Sequence, residues 1–253
     1  MNLDGLAAIV TGAASGLGAA AAGRLAQRGA KVAVFDMNAE AGEQYADQIG
    51  GTFFKVDVSD DANIVDALRA AQDMHGVARV LVNCAGIAPG ARTVGRDASA
   101  HSIDLFRKAI EVNLVGTFAL ASQFAAALSG AELIGEERGV IINTASIAAY
   151  DGQIGQTAYA ASKAGVAGLT LPMARDLAQY RIRVMTIAPG LFLTPMMKGF
   201  SQEMQDALGG QVPHPARLGD PAEYAQLVEA IIDNPMLNGE VIRLDGALRM
   251  APR

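Results

Sequence analysis

The chain has no tryptophan, one cysteine and three histidines among its 253 residues. With Cys84 alone, no internal disulfide can form, and a reducing compartment is expected. His75, His101 and His214 lack the spacing of metal ligands, so no metal site is expected. Charged residues are sparse, at 18%, and their balance is acidic, at −6. No basic block supplies the face that a phosphate backbone requires, which argues against nucleic acid as a partner. Linkers rich in proline or serine, low-complexity tracts and solenoid-period repeats are all missing. The start, Met1-Asn2-Leu3-Asp4, has neither the basic nor the apolar region of a secretion signal. The longest apolar stretches are broken by Asn113, Thr117, Ser122 and Gln123, so no membrane span is expected. A cytoplasmic location follows as the expectation.

What is abundant is small and apolar. Hydrophobic residues make up 51% and glycines number 28, a composition suited to helices packed closely on a sheet. Short apolar runs at 7–11, 31–35, 52–56, 80–83, 139–143, 183–188 and 241–244 read as strands. Several lack polar alternation, as expected where both faces of a sheet are covered. Amphipathic segments at 16–28, 39–48, 61–74, 102–128, 157–179 and 221–233 read as helices between them. This alternation predicts an α/β fold, a Rossmann-like doubly wound parallel sheet of about seven strands with helices on both faces. Residues 1–253 form one domain in this reading, with the ligand crevice at the carboxyl ends of the strands.

Residues 190–219 break the rhythm with Pro195, Pro213, Pro215, Met196, Met197, Met204 and the pair Gly209-Gly210. Following the sixth strand, this segment is expected to form a substrate lid, built of two short helices.

The first strand runs into Gly12, Ser15, Gly16, Leu17 and Gly18, a G-x-x-x-G-x-G turn before a helix. Such a turn lets the backbone approach a pyrophosphate, while the helix start offers free N–H groups. Asp36 ends the second strand, where its carboxylate can accept the adenine-ribose hydroxyls and repel a 2′-phosphate. Neither Ser15 nor Met37 supplies a cation for such a phosphate, so NAD is the expected cofactor. Asp57 and Val58 follow the third strand near the adenine edge, and Asn83, Cys84, Ala85 and Gly86 close the fourth. Cys84 reads as a small buried residue, with no histidine near it in sequence.

Tyr159 and Lys163 lie at i and i+4 on an expected helix and share one face. A nearby ammonium favours the phenolate, and a positively charged nicotinamide adds to that effect on a group whose ordinary pKa is about 10. A phenol so tuned can exchange a proton with a substrate hydroxyl, and Ser146, thirteen residues earlier, can hold that oxygen.

Together, 11–18, 83–86, Asn113, Ser146, Tyr159, Lys163 and Pro189-Gly190 resemble the short-chain dehydrogenase/reductases along essentially the whole chain. The resemblance implies Tyr159 as acid/base, Lys163 as its tuner and a ribose ligand, Ser146 as the oxygen holder, and Asn113 as the anchor of a relay water. It also implies contacts to the nicotinamide from Pro189 and Gly190 through Phe192 to Thr194. Residues 139–146, 183–192, 217–224 and 238–246 are similar to the type 2 3-hydroxyacyl-CoA dehydrogenases within that family. That likeness implies an NAD-dependent homotetramer interconverting (S)-3-hydroxyacyl-CoA and 3-oxoacyl-CoA. Arg92, Arg96, Arg107 and Lys108 are candidate contacts to the CoA phosphates. A hydroxysteroid or general secondary-alcohol dehydrogenase would share the same reacting set, and a dinucleotide-binding scaffold without turnover would share the fold.

Overall fold

The computed structural model describes residues 1–252, except that the side chain of Met196, named above in the methionine patch, lies outside the described residues, as does Arg253. Strands β1 (Ala7–Thr11), β2 (Lys31–Asp36), β3 (Thr52–Lys55), β4 (Val80–Asn83), β5 (Gly139–Thr144), β6 (Ile182–Pro189) and β7 (Val241–Leu244) form one sheet. Its order is β3-β2-β1-β4-β5-β6-β7, and every neighbouring pair is parallel. The order reverses between β1 and β4, so their carboxyl ends flank the crevice in which doubly wound sheets hold ligands.

The connections are α1 (Gly16–Gln27), α2 (Ala39–Ile49), α3 (Asp61–His75), α4 (Ile103–Ile110), α5 (Gly116–Leu128), α6 (Ala148–Asp151), α7 (Thr157–Leu177), α8 (Pro195–Lys198), α9 (Gln202–Gly209) and α10 (Pro221–Asp233). Successive strand residues point to opposite faces, which divides the core into two layers. Val10, Val34, Val82, Ile142 and Ile187 pack with Leu25 of α1 and with Tyr224 and Ile231 of α10. Ile9, Leu81, Ile141 and Val184 pack with Ile64 of α3, Leu120 and Phe124 of α5, and Met173 of α7. Each such side chain contributes roughly 1.5–3 kcal/mol on leaving water, which is what clamps the strand ends in place beneath the crevice.

Helix starts are set locally. Asn38, Asp60, Ser102 and Ser201 accept backbone N–H groups with their side chains at α2, α3, α4 and α9. Asp220 and Glu223 form a reciprocal capping box beside Pro221 at α10.

Two departures from the sequence reading bear on the site. The expected helix 102–128 is divided by a π turn, Glu111–Val115, between α4 and α5. The turn carries Asn113 into the interior, and the Thr117 hydroxyl donates to the Asn113 carbonyl at 2.8 Å. The second departure is α6, a single helical turn directly after Ser146 that has too few residues for any periodic signal. The continuous run Ile103–Leu128 is, among the described residues, the one helix long and apolar enough to cross a membrane. Leu120, Phe124 and Leu128 from it pack on the sheet. The 190–219 segment does hold two short helices, α8 and α9.

Candidate active site

The turn after β1 depends on two close approaches. Gly12 adopts φ +61°, and a Cβ there would lie 2.9 Å from the Ala85 Cα. A Cβ on Gly18 would lie 2.2 Å from the Gly12 carbonyl oxygen. Only hydrogen fits at either place, and the α1 backbone therefore comes up against the end of β4. Thr11 Oγ1 fixes the same junction by accepting from the Cys84 and Ala85 N–H groups, both at 3.0 Å.

Beside this turn lies a groove of about 430 Å3. Gly12, Ser15, Gly16, Leu17, Gly18, Asp36, Met37, Val58, Ala85, Gly86 and Thr194 line it, eleven of the residues expected to hold the dinucleotide. No acidic residue stands in the first turn of α1, and the Ser15 side chain makes no cap hydrogen bond. The free N–H groups there keep their positive potential undiminished, which suits a pyrophosphate. Asp36 accepts from the Ala14 N–H at 3.0 Å and the Asn38 N–H at 2.9 Å, so its carboxylate is aimed across the turn. Asn38, not Asp36, caps α2. The residues present fit a dinucleotide.

Asp57 and Asn83 stand outside the lining. Hydrogen bonds from the Ser59 hydroxyl (2.6 Å) and N–H (2.9 Å) occupy the Asp57 carboxylate and hold it below the usual carboxylate range. Asn83 is buried and donates to Asn143 Oδ1 at 2.9 Å between adjacent strands.

A second cavity of about 240 Å3 continues from the groove, sharing Leu17, Cys84, Gly86, Ile87 and Thr194 with it. Ser146, Tyr159, Lys163, Pro189, Gly190 and Phe192 line this part. One turn of α7 sets the Lys163 ammonium 5.9 Å from the centre of the Tyr159 ring. Lys163 is buried, and its Nζ donates to the Thr144 carbonyl at 2.8 Å. Removal from water pushes the Lys163 ammonium down from 10.5 to about 8. Burial likewise pushes the Tyr159 phenol up, with the Ser146 hydroxyl opposing. On balance the phenol is raised, because the low-dielectric surroundings penalise its charged form. Ser146 Oγ accepts from the Ala148 N–H at 3.1 Å, which leaves its proton free to donate into the cavity.

Asn113 lies behind the wall, fully buried. Its Oδ1 accepts from the Ile87 N–H at 2.8 Å, and its Nδ2 donates to the Ile87 carbonyl at 2.8 Å and Ser162 Oγ at 2.9 Å. A Cβ on Gly86 would meet Asn113 Oδ1 at 3.0 Å and Lys163 Nζ at 3.4 Å, so these groups converge behind Gly86. Met197 of the expected lid also lines the cavity, as do Ile87 and Ala88, which were not singled out from sequence. Ile87 and Ala88 directly follow Gly86, the available signal. Cys84 Sγ lies 3.4 Å from both Thr144 Oγ1 and the Tyr224 hydroxyl, and burial pushes its thiol up, as for a packing residue. Arg92, Arg96, Arg107 and Lys108 are exposed and line neither cavity.

Residues 6–205 match the family model described as short chain dehydrogenase. The chain belongs to that family. This short-chain dehydrogenase is 49% identical over 255 residues to 3-hydroxyacyl-CoA dehydrogenase type-2 of Homo sapiens, covering 99% of this chain and 98% of the relative. To the protein of the same name from Drosophila melanogaster it is 49% identical, covering 96% of this chain and 97% of the relative. The 3-oxoacyl-[acyl-carrier-protein] reductase FabG of Vibrio cholerae is 38% identical over 99% of this chain and its own full length. Among solved structures, 3-hydroxyacyl-CoA dehydrogenase type-2 from Mycobacterium avium superposes with a TM-score of 0.94 at 43% identity, covering 98% of each chain.

Proposed function

We propose that this oxidoreductase uses NAD to interconvert (S)-3-hydroxyacyl-CoA and 3-oxoacyl-CoA. The observation that carries this reading is that Ser146, Tyr159 and Lys163 share one cavity opening into the glycine-turn groove. It stands in a chain 49% identical, over nearly its whole length, to a protein named for acyl-CoA oxidation.

In the oxidative direction Tyr159 Oη accepts the proton of the substrate hydroxyl. Ser146 Oγ donates to the same oxygen, its acceptor side being engaged by the Ala148 N–H. Lys163 contributes positive charge beside the phenol and favours its ionised form. The first-turn N–H groups of α1 hold the pyrophosphate, and Asp36 accepts the ribose hydroxyls while repelling a 2′-phosphate. Bound nicotinamide supplies the acceptor for the hydride leaving C3. Both hydrogens of Asn113 Nδ2 are engaged, so a relay water at Asn113 is held by donating to one of its oxygens. Residues 190–219 cover the acyl group, with Met197 reaching the cavity.

Assembly as a homotetramer belongs to the same proposal. Phe118 of α5 and Tyr180 after α7, 47% and 40% exposed, line one surface hollow with Met173 and Leu177, an apolar face in want of cover. The lone cysteine supports a cytoplasmic site.

Initial rates of cofactor reduction test the reading, with (S)-3-hydroxybutyryl-CoA and a hydroxysteroid, each supplied with NAD or NADP. Turnover of the CoA ester with NAD alone is expected. Turnover of the steroid alone would reassign the substrate, and turnover of neither would overturn the enzymatic reading.

A further inference from the structure

Only α6, one helical turn, and the bend 152–156 separate Ser146 from the start of α7 and Tyr159. A single turn has no stability of its own, so something outside it must hold the separation of the two hydroxyls. The strongest external contact is ionic. Asp151, at the end of α6, accepts from Arg243 Nη2 at 2.5 Å. The other arm of that guanidinium, Nε, donates to Asp245 Oδ2 at 2.7 Å, and Nη2 also reaches the Leu248 carbonyl at 2.9 Å. The Arg243 Cζ stands 5.2 Å from the centre of the Tyr150 ring, so the same cation packs on α6 from its flank. The Asp151, Arg243 and Asp245 side chains are 18%, 21% and 6% exposed, too dry for either partner to be left alone cheaply.

Arg243 is itself rigidly placed. It belongs to β7, opposite Ala188 of β6, and the next residue of β6, Pro189, accepts the Ile147 N–H at 3.1 Å. The segment after Ser146 is thereby tied to the sheet at two points, Ile147 and Asp151. Residues 248–252 continue the hold as a strap. Ala251 and Pro252 offer carbonyls to Gln153 Nε2 at 2.9 Å and the Ile154 N–H at 3.0 Å. Leu248 packs with Ile147 and with Val212 from the lid segment. From the opposite side, the Ala91 N–H donates to the Gly155 carbonyl at 2.9 Å. Neither Asp151 nor Arg243 lines the groove or the cavity, so neither touches the reacting atoms.

We infer that Arg243 is a positioning residue, acting through Asp151 to fix the placement of Ser146 relative to Tyr159. The inference rests on the reading that those two hydroxyls meet one substrate oxygen. Misplacement of a reacting group by about 1 Å can lower a rate by ~100-fold, which sets the expected scale.

The test compares Asp151→Asn, Asp151→Glu, Arg243→Met and Ser146→Ala in the intact chain. It reads kcat and KM for (S)-3-hydroxybutyryl-CoA and the Kd for NADH by its fluorescence. Asp151→Asn and Arg243→Met are expected to lower kcat by about 10- to 100-fold while NADH binding stays unchanged. Asp151→Glu, which restores the carboxylate, recovers most of the rate. The double variant, Asp151→Asn with Arg243→Met, should be no slower than the worse single change. Unchanged kcat in Asp151→Asn overturns the inference. So does a fall in kcat matched by weaker NADH binding, or no recovery in Asp151→Glu, since either marks general support of the fold. If Arg243→Met does not fold, the near-isosteric Asp151→Asn decides alone. An unaffected Ser146→Ala would instead sink the reading of the reacting pair, an outcome separable from failure of the clamp.

Discussion

Lys163 Nζ stands 5.9 Å from the centre of the Tyr159 ring, while its hydrogen bond goes to the Thr144 carbonyl at 2.8 Å. The β5 terminus thus holds the cation beside the phenol without neutralising it. A carboxylate at Thr144 would have paired with Lys163 and cancelled its field. A carbonyl orients the ammonium and leaves its charge to act on Tyr159.

That arrangement has a measurable cost. The folded pKa of Lys163, about 8, lies below its ordinary 10.5. Between these values the unfolded chain binds a proton that the folded chain has released, so this group's contribution to stability rises with pH across that window. Below it, the full penalty of burying the charge is present. Lys163→Met should therefore be inactive yet more stable near pH 7 by about 2 kcal/mol, a ~3 kcal/mol desolvation cost less ~1 kcal/mol for the lost hydrogen bond. Thermal unfolding of both proteins at pH 7 and 10 checks this. The advantage should shrink at the higher pH, and a constant gap would contradict it.

Cofactor choice should respond to Asp36. Its two hydrogen bonds, from Ala14 and Asn38, aim the carboxylate at the groove, and no cation stands at Ser15 or Met37. Asp36→Ser removes the repulsion toward a 2′-phosphate and one charged acceptor for the ribose. We expect NAD affinity to drop by roughly 10- to 100-fold, the scale of a charge-assisted hydrogen bond, with NADP affinity improving. Titration with NADH and NADPH reads both, and an unaltered ratio would rule out Asp36 as the selector.

Gly18 offers a steric test of the groove. Its missing Cβ is only 2.2 Å from the Gly12 carbonyl oxygen, a backbone atom that cannot swing aside. Gly18→Ala must push α1 off the turn. A loss of stability of about 1–3 kcal/mol, the usual cost of overpacking, is expected together with weakened NADH binding. Wild-type melting and binding in this variant would show that the turn is looser than described.

The sequence alone was informative where neighbours in sequence are also neighbours in space. The short, largely apolar runs 7–11, 80–83 and 241–244 became β1, β4 and β7 without a residue of difference. The helical spacing of Tyr159 and Lys163 held because it is internal to α7. What remained hidden depended on distant contacts. The π turn at Glu111–Val115 is stabilised by Ile87 and Ser162 through Asn113, and by no pattern within 102–128. The clamp on α6 joins Asp151 to Arg243, ninety-two positions away. The upward push on Tyr159 follows from burial, which no i, i+4 spacing reports.

The most direct measurement is cofactor reduction by the purified protein with (S)-3-hydroxybutyryl-CoA and NAD, wild type beside Tyr159→Phe. The phenyl ring keeps the packing on α7 and removes only the hydroxyl that exchanges the proton. Wild-type turnover is expected, with the variant slower by about 100- to 10,000-fold and NADH binding preserved. Equal rates in the two proteins would contradict the assignment of Tyr159 as the acid/base.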